Sequence, residues 1–222
     1  MTTLLALDTA TEACSVALLY KNNIYNCYEV IPRLHAQQIL PMIHNVLSKA
    51  GCTLEEIDGL AFGCGPGAFT GIRIATGIVQ GLAFALDKPV IPVSNLAIIA
   101  QRAWREYQLE RIAVAIDARM NEIYWGCFTL RNGEVSLEGD ELVIAPERVK
   151  LPLSTTSWSG VGTGWKYAAQ IPVSCDIVDS NLLPCANDLL TLALSAWQAG
   201  SITEASAAEP IYLRNNVATP KK

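Results

Sequence analysis

The feature that most constrains this chain is the order of its apolar runs over the first hundred residues. Thr3 to Asp8 and Cys14 to Tyr20 are apolar stretches of strand length, parted by the polar turn Thr9-Ala10-Thr11-Glu12. A third extended run, Ile24 to Val30, follows Lys21-Asn22-Asn23. Three such runs in succession read as a meander of strands. The pattern then predicts a helix over Leu34 to Ala50 that stops at Gly51, a strand at Ile57 to Phe62 and a helix at Thr70 to Leu86. A strand at Val90 to Val93 and a helix at Asn95 to Trp104 follow. The order is βββαβαβα, and the fold class is α/β.

Past residue 110 a shorter version of the same order begins. Arg111 to Asp117, Glu122 to Arg131 and Val135 to Val143 read as strands, Ser157 to Val161 and Val173 to Val178 as strands flanking a short helical turn, and Asp188 to Ala199 as a helix. Ala6-Leu7-Asp8 and Ala115-Ile116-Asp117 each end the first strand of a meander, so the chain reads as duplicated in topology. The charged segment Trp104 to Glu110 marks the break, giving a first lobe over 1–106 and a smaller second lobe over 107–222.

Composition bounds the setting. Hydrophobic residues make up 51% of the 222 residues and charged ones 17%, against roughly 25% charged in an average soluble protein, so the apolar surplus needs a home. No stretch free of Asp, Glu, Lys and Arg exceeds 15 residues, short of the roughly 20 that a spanning helix needs. The amino terminus meets Asp8 with no basic segment before it. We therefore expect a cytoplasmic chain with no membrane contact. A net charge of −5, with no basic run except Lys221-Lys222, predicts that the chain alone binds nucleic acid poorly. Seven cysteines without a CxxC pair read as buried, reduced thiols. The two histidines, His35 and His44, are nine residues apart; nine helical steps of about 100° put them on opposite faces, so no shared metal site is expected.

Three places can carry chemistry. Asp8 ends the first strand, and Thr9, Thr11 and Ser15 lie in or beside the turn after it, an arrangement that suits phosphate or hydrated Mg²⁺ but also simply caps a hairpin. The second copy, Asp117-Ala118-Arg119-Met120-Asn121, lacks a glycine to let the backbone approach a phosphate. The segment Gly63-Cys64-Gly65-Pro66-Gly67 leads from a strand into a helix whose free N–H groups face any anion, yet it is neither a Walker A loop nor GxGxxG. It reads equally as a structural turn. The helix after it gathers Arg73, Thr76, Gln80, Gly77 and Phe84 on one narrow stripe, with Gly81 at its edge, and is apolar everywhere else. Such a stripe suggests either a protein partner or burial beneath the second lobe. The helix from Leu34 shows His35, Ile39, Met42, Ile43, Val46 and Ala50 on one core-facing arc, with Leu40 and Leu47 widening it, and His35 reads as a packed side chain. Asp8, Glu12, Asp117 and Glu122 are candidates for carboxylates paired across the two copies.

LLALDTATEACSVAL, GPGAFTGIRIA, DARMNEIYWGCF and EPIYLRNNVA together resemble the TsaB (YeaZ) family, needed to make threonylcarbamoyladenosine beside the anticodon of tRNAs reading codons that begin with A. The resemblance implies an actin-like, Hsp70-like ATPase (ASKHA) fold of two RNase H-like lobes, the second reduced. In the related catalytic TsaD family, two metal-binding histidines would fall where this chain has Asn95 and Ile99, neither a credible replacement. Together with the glycine-free Asp117 turn, this implies a non-catalytic scaffold with no metal, pairing with TsaD and joined by TsaE. It also implies a homodimer when alone and tRNA contact only through the complex. The partner contact would use the two helices of the first lobe, here through Ile39 and Ile43 and through Arg73, Gly77, Gln80, Gly81 and Phe84. Asp8, Thr9, Thr11, Gly65 and Gly67 would be vestigial phosphate contacts, with no cofactor expected beyond a possible ATP or ADP at the partner interface. The alternative is a free-standing ATPase or phosphotransferase of the same fold. A peptidase ranks last, for want of a nucleophile or metal centre.

Overall fold

The computed structural model describes residues 1–214. The first sheet is built from β1 (Leu4–Asp8), β2 (Ala13–Tyr20), β3 (Asn23–Val30), β4 (Gly59–Gly65) and β5 (Val90–Ser94), in the order β3-β2-β1-β4-β5. β1 to β3 form the antiparallel meander, and β4 and β5 add in parallel on the other side of β1. β1 is therefore central and buried on both faces, as its unbroken apolar run requires.

The alternate residues of β1 feed two different cores. Leu5 and Leu7 meet Ile39, Ile43 and Val46 of α1 (His35–Ala50) and Ala75, Val79 and Ala83 of α2 (Phe69–Leu86). Leu4 and Ala6 belong to the core formed with α3 (Asn95–Tyr107) and α4 (Ala186–Gln198). Period-two alternation along one strand thus sorts the helices into two layers. α3 starts where Ser94 accepts hydrogen bonds from the amides of Leu96 (3.1 Å) and Ala97 (3.4 Å).

The second sheet runs β11 (Asp176–Asp179), β10 (Ser159–Val161), β6 (Arg111–Arg119), β7 (Glu122–Arg131), β8 (Glu134–Leu137). The stretch Val135 to Val143, read as one strand, is two: it breaks at Gly139-Asp140, and both β8 and β9 (Leu142–Ile144) pair with β7 at different places. One face of this sheet shares the core of α3 and α4. The other packs Trp125 and Trp158 against Trp165 of the 3₁₀ segment Thr163–Gln170. The α3/α4 layer therefore lies between the two sheets. α4 follows the second sheet in sequence but packs on β1, β2 and β5 of the first, with its first residue Ala186 donating its amide to Ser15 Oγ at 2.9 Å. Its Asp188, buried, receives two hydrogen bonds from Arg105 of α3 at 2.7 and 2.9 Å. Two RNase H-like sheets in this order, the second with short outer strands β8 to β11 and fewer helices, make an actin-like, Hsp70-like ATPase (ASKHA) fold.

Candidate functional site

The two meander turns approach each other across a cleft of about 410 Å³, lined by Thr11, Glu12 and Gly67 on the first-sheet side and by Asp117, Arg119 and Lys166 on the second. Asp8 ends β1 just below the floor of this cleft and has no solvent exposure. Asn95 donates its side-chain amide to Asp8 Oδ2, while its Oδ1 accepts the Gly65 amide at 2.8 Å; the Ala10 amide donates to Asp8 Oδ1 at 3.2 Å. Burial pushes the Asp8 carboxyl up to about 6, with these donors pulling the other way. A methyl group at Gly63 would overlap both Asp8 and Asn95, which is why a glycine stands there. Asn95, singled out in sequence as an unsuitable metal ligand, is the link that ties the carboxylate to the glycine-rich loop. Ile99 is in the core between the sheets.

The expected phosphate contacts divide. Thr9 is buried and spends its hydroxyl on the Gly71 carbonyl at 2.7 Å, and Ala68 donates to the Ala10 carbonyl at 2.7 Å. The turn after β1 is thereby stitched to the start of α2. Gly65, at φ +119°, lies so close to the Ile211 carbonyl that a Cβ there would come within 2.6 Å of that oxygen, and the Ile211 amide donates to the Cys64 carbonyl at 2.7 Å. The chain's own C-terminal segment therefore lies on the loop. Thr11 and Gly67 remain on the cleft wall.

The four candidate carboxylates do not pair with one another. Asp117 is held by Lys166 Nζ at 2.6 Å and Arg119 at 2.9 Å; partial burial works against its charge, and these donors together keep it below the usual carboxylate range. Its turn carries three successive non-glycine residues at positive φ, Arg119, Met120 and Asn121 (62°, 55° and 59°). Glu12 faces Arg119 at 3.7 Å across the cleft, and Glu122 pairs with Arg214. Among the described residues no cluster of three His, Cys, Asp or Glu side chains is placed to hold a metal. Burial pushes the thiols of Cys14, Cys64, Cys127 and Cys175 up to about 12, so none of these is a nucleophile at neutral pH. His35 is buried with Nε2 3.2 Å from the Ala13 carbonyl, a packed side chain as expected.

The α2 stripe faces outward. Arg73, Gly77, Gly81 and Phe84 are exposed, Phe84 to 84%, and Gln80 is half-buried; nothing lies within 4 Å of where a Cβ would stand at Gly77 or Gly81. Thr76 is a correction: it is buried and turns its hydroxyl back to the Ile72 carbonyl at 2.8 Å. Ile39 and Ile43, expected on the partner surface, are a second correction. They point into the core under β1 and β2, and of their helix it is Leu40, 55% exposed, that faces out. By length and mean hydropathy alone (1.4) α2 is apolar enough to cross a membrane, yet only a third of it is buried here.

Three residues of the cleft wall were not signalled by any sequence pattern: Lys166, Tyr212 and Arg214. Tyr212 and Arg214 sit in EPIYLR, a segment noted only for its resemblance.

A family model described as "TsaD: tRNA N6-adenosine threonylcarbamoyltransferase" matches residues 27–222. The chain is 44% identical to the tRNA threonylcarbamoyladenosine biosynthesis protein TsaB of Escherichia coli, over 98% of this chain and 97% of that protein. It is also 44% identical to TsaB of Haemophilus influenzae, over 99% and 96%. Among solved structures it is similar to YeaZ from Pseudomonas aeruginosa, with 57% identity, 96% of this chain and 100% of that one covered, and a TM-score of 0.93.

Proposed function

Because the chain belongs to the TsaB family of tRNA threonylcarbamoyladenosine biosynthesis proteins, we propose that it is the non-catalytic partner subunit of TsaD, acting with TsaE in transfer of the threonylcarbamoyl group to tRNA. The observation that carries this reading is the outward face of α2, where an 84% exposed phenylalanine stands beside two glycines with open space above them. Apolar surface of that kind is costly to leave in water and lets a second helix approach closely. Arg73, Gly77, Gln80, Gly81 and Phe84 form the contact, with Leu40 of α1 replacing Ile39 and Ile43. The same face makes a homodimer when TsaD is absent. The chain divides into lobes at 106/107, with α4 reaching back to the first sheet, works in the cytoplasm, and meets tRNA only through the complex.

The free-standing ATPase loses support from the site itself. Asp8 is sealed from solvent, the Thr9 hydroxyl is spent, and Ile211 lies where a phosphate would meet Gly65. Reconstitution of the tRNA modification with TsaC, TsaD and TsaE, with and without this chain, tests the proposal. Modified tRNA is expected only with the chain present, and no ATP turnover is expected from the chain alone. Full modification without it, or turnover by it alone that Asp8→Ala removes, would reverse the assignment.

A further inference from the structure

The C-terminal segment is a strap that touches both the α2 face and the second sheet. Thr203 pairs with Val90 at the edge of the first sheet through backbone hydrogen bonds of 2.8 and 2.9 Å. The strap then crosses α2, where Gln80 Nε2 donates to the Ala208 carbonyl at 2.7 Å and Arg73 Nε donates to the Tyr212 hydroxyl at 2.8 Å. Two residues on, Arg214 pairs with Glu122 and lies 3.5 Å from the Met120 sulfur, both at the turn between β6 and β7. Arg73 and Gln80 thus belong to the outward face of α2 and also anchor the strap.

We propose that the strap couples the α2 face to closure of the cleft, so that a partner engaging Arg73 and Gln80 competes with Tyr212 and Ala208 and loosens the Arg214–Glu122 latch. This rests on the α2 face being the TsaD contact. The connection is short: Tyr212 and Arg214 are separated by at most about 7 Å of extended chain, so movement of one reaches the other. Arg73 also stacks on the Phe69 ring at 3.6 Å, which gives it a resting place without the tyrosine. Its bond to Tyr212 is exposed, and exchanging it for a partner's acceptor costs little. Reciprocity then requires that weakening the latch favour partner binding by the factor with which the partner weakens the latch.

Two measurements test this. In the chain alone, Tyr212→Phe keeps the ring and removes the hydroxyl, and should speed amide exchange at Ile211 and at the Arg119–Glu122 turn on the order of fivefold. Unchanged exchange at the turn overturns the coupling. With TsaD, Glu122→Gln lies on the second sheet away from α2 and should tighten pairing on the order of fivefold; unchanged or weaker pairing also overturns it. If the unsubstituted chain does not bind TsaD, the partner reading fails instead, and exchange in the chain alone still decides the coupling.

Discussion

Gly77→Arg is expected to abolish pairing with TsaD while the chain stays folded. Gly77 is exposed and a Cβ added there meets nothing within 4 Å, so the new side chain leaves the helix pointing away from the core. Replacing glycine in an exposed helix interior should also stabilise α2, by about 0.5–1 kcal/mol. In a docked complex the same side chain would wedge two helices apart and bury a charge without a counter-ion. Loss of at least about 100-fold in affinity follows, or about 2.7 kcal/mol. Gly81→Arg should behave alike, whereas Gly77→Ala should keep most of the affinity because a methyl group adds little bulk. Thermal unfolding of the isolated chain and pull-down with TsaD separate the two effects. A folded Gly77→Arg chain that still pairs at full strength would show that α2 is not the contact.

That surface was legible because its signal is local. Residues three and four apart share a helix face, so the stripe through Arg73, Gly77, Gln80 and Phe84 can be read from spacing, as can the meander and the alternation that follows. Spacing does not say which face looks inward. Ile39 and Ile43 lie on the same apolar arc of α1 whether that arc meets a partner or the sheet, and here it meets Leu5 and Leu7. The Val135 to Val143 run is different: Gly139-Asp140 inside it is a turn signal, and with Gly139 at φ +84° the stretch breaks into two strands that pair with β7 at different places. The polar links at the site were beyond reach altogether. Asp8 meets Asn95 across 87 positions and Arg73 meets Tyr212 across 139, separations that no local period encodes. Asn95 was noticed for the chemistry it lacks, while its role is to present an acceptor to Gly65 and a donor to Asp8.

That donor and acceptor pattern sets the consequence of Asp8→Asn. Both Asp8 oxygens accept, one from Ala10 N–H and one from Asn95, whose orientation is fixed because its own oxygen accepts from Gly65. An asparagine offers one acceptor and one donor, so whichever way it turns, two donors face each other; this should cost about 1–3 kcal/mol. A protonated aspartic acid escapes most of this conflict, because its hydroxyl oxygen keeps lone pairs that still accept while an amide nitrogen cannot. Against that cost stands the burial of charge. The Asp8 carboxyl titrates at about 6 in the folded chain and, as an ordinary aspartate, at 3.8 when unfolded. Its folded pKa is raised, so its favourable contribution is present in full below the unfolded pKa and is lost as pH rises through the folded one. By pH 7 the loss is about 3 kcal/mol. Asparagine has no such loss. Asp8→Asn should therefore be clearly less stable than the natural chain at pH 4 and close to it at pH 7, the difference moving by about 2–3 kcal/mol in favour of asparagine over that interval. Denaturant unfolding at the two pH values measures the shift. A stability gap that stays constant would mean that Asp8 ionises in the folded chain as it does in water, and that the Asn95 link does not hold a buried charge.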